Sequence, residues 1–296
     1  MRVLDRLLLG IESVKDLLVN NRFRLVKGDI RHIEDVTAAM ANIDAVIDLA
    51  AIVGAPACDN NKENTIETNY LATKLLAQIA QSHGVKRFIF ASTCSVYGAN
   101  DGKALTEESP TNPLSLYAET KMKSEDVLLN ANGSLEPVIL RLSTLCGPSS
   151  RMRFDLVLNF MAAMAYNERK LKVIGGNQWR PLLDTRDASA AFCKLLETPL
   201  DVSHTVWNVG SNGNNITICK LGELIANQVE GTEIEYVPGQ EDPRSYKVVF
   251  DKINNRFTPS ITMEKSVQDV LKMFEEGRVT NYKSSKYYNS KLNYFS

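Results

Sequence analysis

Apolar residues recur along this chain in two alternating patterns. Short continuous apolar runs are typical of buried strands, and apolar stripes at every third or fourth position are typical of helices that bury one face. Segment 63–82, for example, places Leu71, Leu75, Leu76 and Ile79 on one helical stripe. Because strand and helix patterns alternate, the sequence predicts an α/β fold with a doubly wound, mostly parallel sheet covered on both faces.

The same patterns give approximate bounds for the predicted elements. Strands are predicted at residues 2–4, 23–26, 45–50, 86–93, 137–144 and 233–237. Helices are predicted at residues 63–82, 115–130, 154–167, 217–229 and 263–274. The pattern loosens after Pro148, where short strands alternate with loops. We therefore expect a second, smaller and mixed α/β unit beside the main sheet.

Composition and charge narrow the classes of function. The chain has 296 residues and a net charge of −1, which gives no electrostatic case for nucleic acid or an anionic membrane surface. No apolar run is long enough to span a bilayer, and the early charges do not suit a secretory signal. The five cysteines are scattered, which argues against a disulfide framework or a zinc site and favours a reducing compartment. We expect a cytoplasmic protein with no metal, nucleic-acid or membrane partner.

Tyr117 and Lys121 are the most informative residues in the sequence. Four positions apart on a predicted helix, they share one face. A free Tyr has a pKa near ~10, and a neighbouring Lys cation lowers that pKa by favouring the phenolate. Thr93 falls at the carboxyl end of a predicted strand, where open α/β sheets build their sites. The three side chains can move a proton on and off a carbinol while a cofactor takes or gives a hydride.

Several motifs together resemble the extended short-chain dehydrogenase/reductase family, in its branch of nucleotide-sugar epimerases and dehydratases. Any one of these motifs is weak evidence, but the combination is highly specific and runs nearly from end to end of the chain. The matching residues are Val46-Ile-Asp-Leu-Ala-Ala51, Asn69, Ser92-Thr-Cys-Ser-Val-Tyr-Gly98, Tyr117-x-x-x-Lys121, Arg141 through Gly147-Pro148, and Trp179-Arg-Pro-Leu-Leu-Asp-Thr-Arg-Asp187. The resemblance implies a Rossmann-like fold, NAD as cofactor and a nucleotide-diphosphate sugar as substrate.

The resemblance also implies a division of the chain. We expect an NAD-binding, Rossmann-like domain from residues 1–148 and 181–210, and a substrate-binding subdomain from residues 149–180 and 211–278. Residues 279–296 are rich in Tyr, Asn and Ser and are expected to form an irregular tail.

A set of cofactor-binding residues follows from the resemblance. Asp5 matches the acidic residue that accepts hydrogen bonds from the adenosine ribose, which favours NAD over NADP, although the adjacent Arg6 would suit a phosphate. Asp48 stands where the family often has His, with no consequence that the sequence reveals. The full implied set is Asp5, Asp29, Ile30, Leu49, Ala50, Ala51, Asn69, Tyr117 and Lys121.

One expected element is missing ahead of Asp5. A dinucleotide fold opens with a strand, a Gly-x-x-Gly-x-x-Gly turn and a helix, but only four residues precede Asp5. Gly210-Ser-Asn-Gly213 is one glycine short and lies at the wrong end of the chain. Without the first strand, its two neighbours would have unpaired edges. We expect Met1 to be an internal residue of a longer natural chain, with about 20–30 upstream residues that carry the strand, turn and helix; the alternative is a damaged enzyme.

The substrate side is implied by a second set of residues. Guanidinium forks suit diphosphate oxygens, so Arg180 and Arg244 are candidates, with surface salt bridges as the alternative. Asn159 is expected to face the sugar or base. Cys94 and Ser95 stand where related 4,6-dehydratases place Asp and Glu. Because a thiol is a weak acid and a Ser hydroxyl has no useful pKa, elimination of water lacks its catalysts here.

These residues favour one reaction. We expect NAD-dependent epimerisation of a nucleotide-diphosphate sugar at C4, by transient oxidation and re-reduction. Two alternatives stay open: a 4-keto-sugar reductase that consumes NAD(P)H stoichiometrically, and a non-catalytic nucleotide-binding relic without its glycine turn. Relatives commonly pair through two long helices, so we also expect a homodimer formed by helices 63–82 and 115–130.

Overall fold

The computed structural model describes residues 1–99, 103–199, 204–238 and 245–292. Its strands are β1 (Arg2–Asp5), β2 (Arg24–Lys27), β3 (Ala45–Asp48), β4 (Arg87–Thr93), β5 (Ala104–Leu105), β6 (Glu136–Leu142), β7 (Thr144–Cys146), β8 (Lys170–Ile174), β9 (Trp179–Asp184), β10 (Thr205–Val209), β11 (Asn215–Thr217), β12 (Glu233–Val237) and β13 (Lys247–Val248). Its α-helices are α1 (Ile33–Met40), α2 (Ala55–Asn60), α3 (Lys62–Ile66), α4 (Ala72–Ser82), α5 (Leu116–Leu129), α6 (Val157–Glu168), α7 (Thr185–Glu197), α8 (Ile218–Ala226), α9 (Asp251–Asn254) and α10 (Met263–Glu275).

The main sheet has four parallel strands in the order β10-β6-β4-β3. Strand β4 pairs with a neighbour on both sides, and its side chains alternate between two apolar layers because successive residues point to opposite faces. Phe88 and Phe90 pack with α1 and α4 on one face, whereas Ile89 packs with α7 on the other. A parallel sheet covered on both faces is the predicted α/β architecture.

The predicted sheet is divided at its cofactor side. Strands β1 and β2 form a separate parallel pair, and within the described ranges β1 pairs only with β2 and β3 only with β4. No described strand lies between β1 and β3, so each keeps one edge without a sheet partner. Apolar side chains are exposed as a result: Ile47 on β3 is 37% exposed and Leu49 just beyond it is 61% exposed.

A second apolar core lies outside the main sheet. Helices α6, α8 and α10 pack together over the parallel pair β8–β12, and the chain from residue 146 to residue 287 contributes to this core. Phe154 stacks edge-on against Tyr282 and Tyr287, with ring centroids 5.9 and 5.3 Å apart. The tail therefore packs into this core through its tyrosines, although its only regular structure in the described part is the two short 3-10 turns Ser285–Tyr287 and Asn289–Lys291.

The helix predicted at 63–82 is present but is not uniform. It consists of α3, a π-helical segment at Glu67–Leu71, and α4 in direct succession. The π segment carries Asn69, and such bulges often mark functional positions in helices. The helices α1, α2 and α7 were not predicted. Among the described residues no helix is long and apolar enough to cross a membrane.

Candidate active site

Helix α5 carries Tyr117 and Lys121 one turn apart. Its first turn is fixed by Ser115, whose hydroxyl accepts a hydrogen bond from the amide of Ala118 at 3.3 Å. The connection from β4 to α5 bends sharply at Gly98, which has a φ of +70°. A Cβ atom at this position would lie 1.8 Å from the carbonyl oxygen of Asn112. A glycine is needed there so that the loop can close against the start of α5.

Thr93 ends β4 and faces the beginning of α5, as predicted. It is buried, and its hydroxyl accepts a hydrogen bond from the amide of Ser95 at 3.1 Å, which caps the 3-10 turn Cys94–Tyr97. The side chain of Tyr117 packs against Ile52 and Cys58 on its other side. The structure thus brings Thr93 and Tyr117 together at the carboxyl edge of the main sheet, where α/β proteins place their sites.

The pKa of Tyr117 is shifted upward in the structure, whereas the sequence analysis expected a downward shift. Burial raises the pKa of the phenol well above its ordinary value of 10, and the neighbouring Cys58 and Tyr246 raise it further. Arg153 and the hydrogen-bonding hydroxyl of Thr93 oppose this by lowering the pKa. Lys121 was expected to be the main lowering influence, but Arg153 is the cation that lowers the pKa most, and burial of the phenol outweighs it.

Lys121 is itself almost fully buried. Its ammonium nitrogen lies 4.5 Å from the ring centroid of Phe90, the β4 residue that faces the same side of the sheet. Burial lowers the pKa of Lys121, while Asp48, Cys58 and Glu125 raise it. The lysine is therefore held in a closed, poorly solvated layer against β4, one helical turn after Tyr117 on α5.

A buried polar network behind the site was not predicted. Arg141 on β6 donates to Glu125 on α5 through Nη2 at 2.6 Å and through Nε at 3.1 Å, and Ser92 on β4 donates to the same carboxylate. Arg141 also donates to the Tyr97 hydroxyl at 3.0 Å, and that hydroxyl donates to Asn208 at 2.6 Å. The network joins the residue before Thr93 to the helical turn after Lys121, so it fixes the catalytic strand against the catalytic helix.

Most of the predicted cofactor residues line one cleft. This cleft, of about 390 Å³, lies beside the ends of β1 and β3. Asp5 is exposed at the end of β1, Ile30 contributes apolar surface, and Leu49, Ala50 and Ala51 form the opposite wall. An acidic group, an apolar wall and small residues suit an adenosine and its ribose, so these residues fit that end of NAD.

Asp29 and Asn69 support the cleft from behind. Arg31 donates to the Asp29 carboxylate at 2.6 Å and Arg6 lies 3.1 Å from it. Burial tends to raise the pKa of Asp29. The pKa is nevertheless lowered overall, because Arg31 contributes hydrogen bonds and charge and Arg6 contributes charge. Asn69 is fully buried and makes a two-point contact with the backbone of Ile52, at 2.8 and 2.9 Å. In the described structure both side chains shape the loops around the cleft rather than form its surface.

Three cations contribute to the lining of the cleft: Arg6, Arg151 and Arg153. Residues 6–10 and 13–14 also line it, and no Gly-x-x-Gly-x-x-Gly sequence does so in the part of the chain that the structure describes. The residues present therefore fit the adenosine end of the cofactor, and the three guanidinium groups add positive charge to the same cleft.

The substrate side is organised around Tyr246, which was not singled out from the sequence. Its hydroxyl lies 3.5 Å from the hydroxyl of Ser95, and the guanidinium carbon of Arg180 lies 6.0 Å from its ring centroid. Arg180 is buried and donates to the carbonyl of Trp179 at 2.9 Å. Two predicted substrate residues, Ser95 and Arg180, are thereby connected to Tyr117 through one aromatic side chain. Arg244 lies outside the described residues.

Two other predicted substrate residues point elsewhere. Cys94 is fully buried, and its thiol donates to the carbonyl of Arg141 at 3.2 Å, so it faces β6 rather than the open site. Asn159 is also buried. Its side-chain Oδ1 accepts a hydrogen bond from the amide of Gly147 at 3.0 Å, and its Nδ2 donates to the carbonyl of Arg153 at 3.0 Å. Asn159 orders the loop that carries Arg153, which gives it an indirect position at the site. Asp184, also noted in the sequence, caps α7 by accepting from the amide of Arg186 at 2.9 Å.

The C-terminal tail completes the cleft. Asn289 lines it, donates to the carbonyl of Val53 at 3.2 Å and accepts from Arg151 at 2.9 Å. Asn60 donates to the carbonyl of Ser290 at 3.0 Å. These contacts join the loop after β3 to the loop before α6. A polar tail gives no periodic signal in the sequence, so this role could not be seen there.

The fold and the site define a class of protein: an α/β nucleotide-cofactor enzyme with a half-buried Tyr and a buried Lys one helical turn apart at the carboxyl edge of a parallel sheet. Residues 5–210 match the NAD dependent epimerase/dehydratase family. Because this match covers more than half of the chain, the protein belongs to that family, whose members are NAD-dependent enzymes.

Relatives within the family carry different reactions in their names. The chain is 28% identical over 221 residues to Uncharacterized UDP-glucose epimerase YtcB of Bacillus subtilis strain 168, covering 73% of this chain and 68% of the relative. It is 30% identical over 292 residues to dTDP-glucose 4,6-dehydratase of Streptomyces niveus, covering 93% of this chain and 84% of the relative.

Solved structures agree with the fold. The crystal structure of UDP-glucuronic acid 4-epimerase from Bacillus cereus, in complex with UDP-glucuronic acid and NAD, superposes with a TM-score of 0.82 at 23% identity. The alignment covers 93% of this chain and 90% of that protein. At this identity the likeness supports the Rossmann-like fold and leaves the choice of reaction to the site residues.

Proposed function

We propose that this enzyme epimerises a nucleotide-diphosphate sugar at C4. The observation that carries the proposal is the combination of a Tyr117–Lys121–Thr93 site with Ser95 and a buried Cys94 beside it. The first three residues suit reversible oxidation of a hydroxyl group. The next two provide neither the acid nor the base that removal of water requires, since burial raises the pKa of the Cys94 thiol far out of the working range.

Each residue has a defined part in this proposal. The Tyr117 oxygen takes the proton from the 4-hydroxyl of the sugar. Thr93 donates a hydrogen bond that orients this sugar oxygen. The Lys121 ammonium stabilises the phenolate. NAD, when bound, supplies the hydride acceptor and donor at C4. After the 4-keto sugar turns over in the pocket, Tyr117 returns the proton, so the chain ends the cycle in its starting protonation state.

The proposed proton transfer requires positive charge near the Tyr117 phenol. Because burial raises the pKa of the phenol in the chain alone, proton removal needs positive charge from outside Tyr117. Arg153 is the cation of the chain that lowers the pKa of Tyr117 most, and Lys121 follows Tyr117 by one turn of α5. Asp5, Ile30, Leu49, Ala50 and Ala51 would hold the adenosine end of the cofactor, and Asn69 and Asp29 would support their loops.

The substrate would lie across Tyr246. Arg180 would bind a diphosphate oxygen, while Ser95 and Tyr246 would contact the sugar. Arg244 and Asn159 remain part of the proposed substrate side, Arg244 by its place in the sequence and Asn159 through the loop that it orders. Relatives are named for UDP-glucose and UDP-glucuronate chemistry, so we propose UDP-hexoses as the first substrates to test.

Proton NMR of the reaction tests this directly. The protein is incubated with NAD and UDP-glucose, UDP-galactose or UDP-glucuronate, and the Tyr117→Phe variant serves as the control. The expected product is the C4 epimer, with no keto sugar accumulating. A stable 4-keto-6-deoxy sugar would instead identify a dehydratase, and NADH consumed in proportion to product would identify the reductase that the sequence left open.

We also propose a homodimer through the helical layer formed by α3, α4 and α5. This layer exposes two large apolar side chains on one helix, Ile66 at 40% and Leu71 at 48%. A twofold pairing of these helices would bury both. Light scattering at micromolar concentration should give the dimer mass, and Leu71→Asp should give the monomer mass. Equal masses for both proteins would contradict the proposed interface.

A further inference from the structure

Asp48 is a buried carboxylate with no role in the scheme above. It ends β3 and is 3% exposed. The Thr73 hydroxyl on α4 donates to Oδ2 at 3.1 Å, and the amide of Ala50 donates to Oδ1 at 3.3 Å. A charged group this deep in a protein is costly unless a charge of the opposite sign accompanies it. Two hydrogen bonds from neutral donors do not supply such a charge, and burial accordingly raises the pKa of Asp48, although the charge of Lys121 opposes that rise.

The register of the sheet places Asp48 on the same face as Lys121. Asp48 is paired with Phe90 across the parallel strands β3 and β4, and paired residues in a sheet point to the same side. The Lys121 ammonium lies over the Phe90 ring, 4.5 Å from its centroid. The carboxylate and the ammonium therefore occupy one buried layer between the sheet and α5.

Other groups near Lys121 are less able to balance its charge. Glu125 is bound on both oxygens by Arg141 and also accepts from Ser92. Cys58 stays a neutral thiol at ordinary pH, because burial raises its pKa to about 11. Among the described neighbours that influence Lys121, Asp48 is the one acid without an arginine partner. Its influence is also the strongest of those that favour the charged lysine.

We infer that Asp48 is a positioning residue that keeps the Lys121 ammonium charged and in place in the buried layer between the sheet and α5. The inference rests on the proposed function for its catalytic consequence, but the pairing itself does not. Desolvation alone drives Lys121 toward its neutral form, and a neutral amine would not stabilise the phenolate. The charge of Asp48 opposes that loss.

The pH dependence of turnover tests the catalytic consequence. In Asp48→Asn the shape of the side chain is kept and its charge is removed. The alkaline limb of the kcat/KM profile should move to lower pH by about one unit or more, because Lys121 then loses its proton earlier. The matched control is Asp44→Asn, the same substitution at an exposed position just before β3, which should leave the limb unmoved. An unmoved limb in Asp48→Asn would overturn the inference.

A thermal double-mutant cycle tests the pairing without any activity. Tm is measured for the wild type, Asp48→Asn, Lys121→Met and the double variant. If the two groups interact, the double variant should lose less than the sum of the two single losses, by about 2–4 °C for a chain of this size. Additive losses would overturn the pairing. Coupling without epimerase activity in the wild type would keep the pairing and reject the proposed function.

Discussion

Strands β1 and β4 belong to the same kind of parallel α/β fold, yet they have opposite surroundings. β4 has a strand on each side, apolar layers on both faces and a buried polar network at its end. β1 has one strand partner, and the cleft beside it is lined mainly by partly buried and exposed residues. The half of the site that holds Thr93, Tyr117 and Lys121 (the closed half) is therefore enclosed by the chain itself, whereas the half around the cleft (the open half) is partly exposed.

The largest effect should come from the closed half. Tyr117→Phe removes only the oxygen that carries the proton, so turnover should fall by at least about 10³-fold while the fold is kept. The measurements are the initial rate of epimer formation and the Tm of the variant. A near-normal rate would remove Tyr117 from the mechanism.

The buried ion pair behind Lys121 should give the next largest effect. Glu125→Gln leaves Arg141 without its counter-charge inside the protein, and removal of one partner from a buried pair costs about 3–5 kcal/mol. Urea unfolding measures this loss of the free energy of unfolding. The comparison on the open side is Lys15→Gln, which removes a pair with Glu12 on the surface and should leave the midpoint almost unchanged. Similar midpoints for both variants would mean that the network does not stabilise the closed half.

Ile89 and Ile47 offer a matched test within one sheet. They are cross-strand partners in β4 and β3, but Ile89 is fully buried and Ile47 is 37% exposed. Ile89→Ala should cost about 2–5 kcal/mol of unfolding free energy, since it leaves a cavity in the core. Ile47→Ala should cost clearly less, because its side chain already contacts solvent. Equal costs would show that β3 is as well packed as β4.

The smallest expected effect concerns acid stability at the open half. The pKa of Asp29 is lowered in the fold by Arg31 and Arg6 against the influence of burial. Its contribution to stability is therefore present above the unfolded pKa of about 3.9 and is lost as the pH falls through the lower folded value. Asp29→Asn should reduce the slope of stability against pH in that acidic range. Thermal unfolding of the wild type and of Asp29→Asn at several pH values below about 4 measures this slope. Equal slopes for the two proteins would show that Arg31 and Arg6 do not lower the pKa of Asp29.

Elements that depend on signals local in sequence were predicted, whereas contacts between segments distant in sequence were not. The strand at 86–93 and the helix with Tyr117 and Lys121 were predicted because apolar runs and helical spacing are local signals. The bounds of β12 agree with the predicted strand at 233–237 for the same reason.

Contacts between distant segments could not be predicted in this way. Glu125 and Arg141 meet only when α5 packs on β6, and Asn289 reaches Val53 across more than two hundred residues. Cys94 follows Thr93 directly, but the 3-10 turn rotates its thiol toward β6 and away from the site. The direction of the pKa shift of Tyr117 was not predicted because its packing against Ile52 and Cys58 and the electrostatic influence of Tyr246 come from segments remote in sequence.

The central claim is that the hydrogen at C4 leaves the sugar as hydride and returns to the same carbon on the opposite face. A UDP-hexose carrying deuterium at C4 tests this most directly, with the reaction followed by NMR and mass spectrometry in ordinary water. The account predicts that the C4 epimer forms with its deuterium retained at C4 and with no net formation of NADH. Epimer that has lost its deuterium to solvent, or deuterium that accumulates in free reduced cofactor, would contradict it.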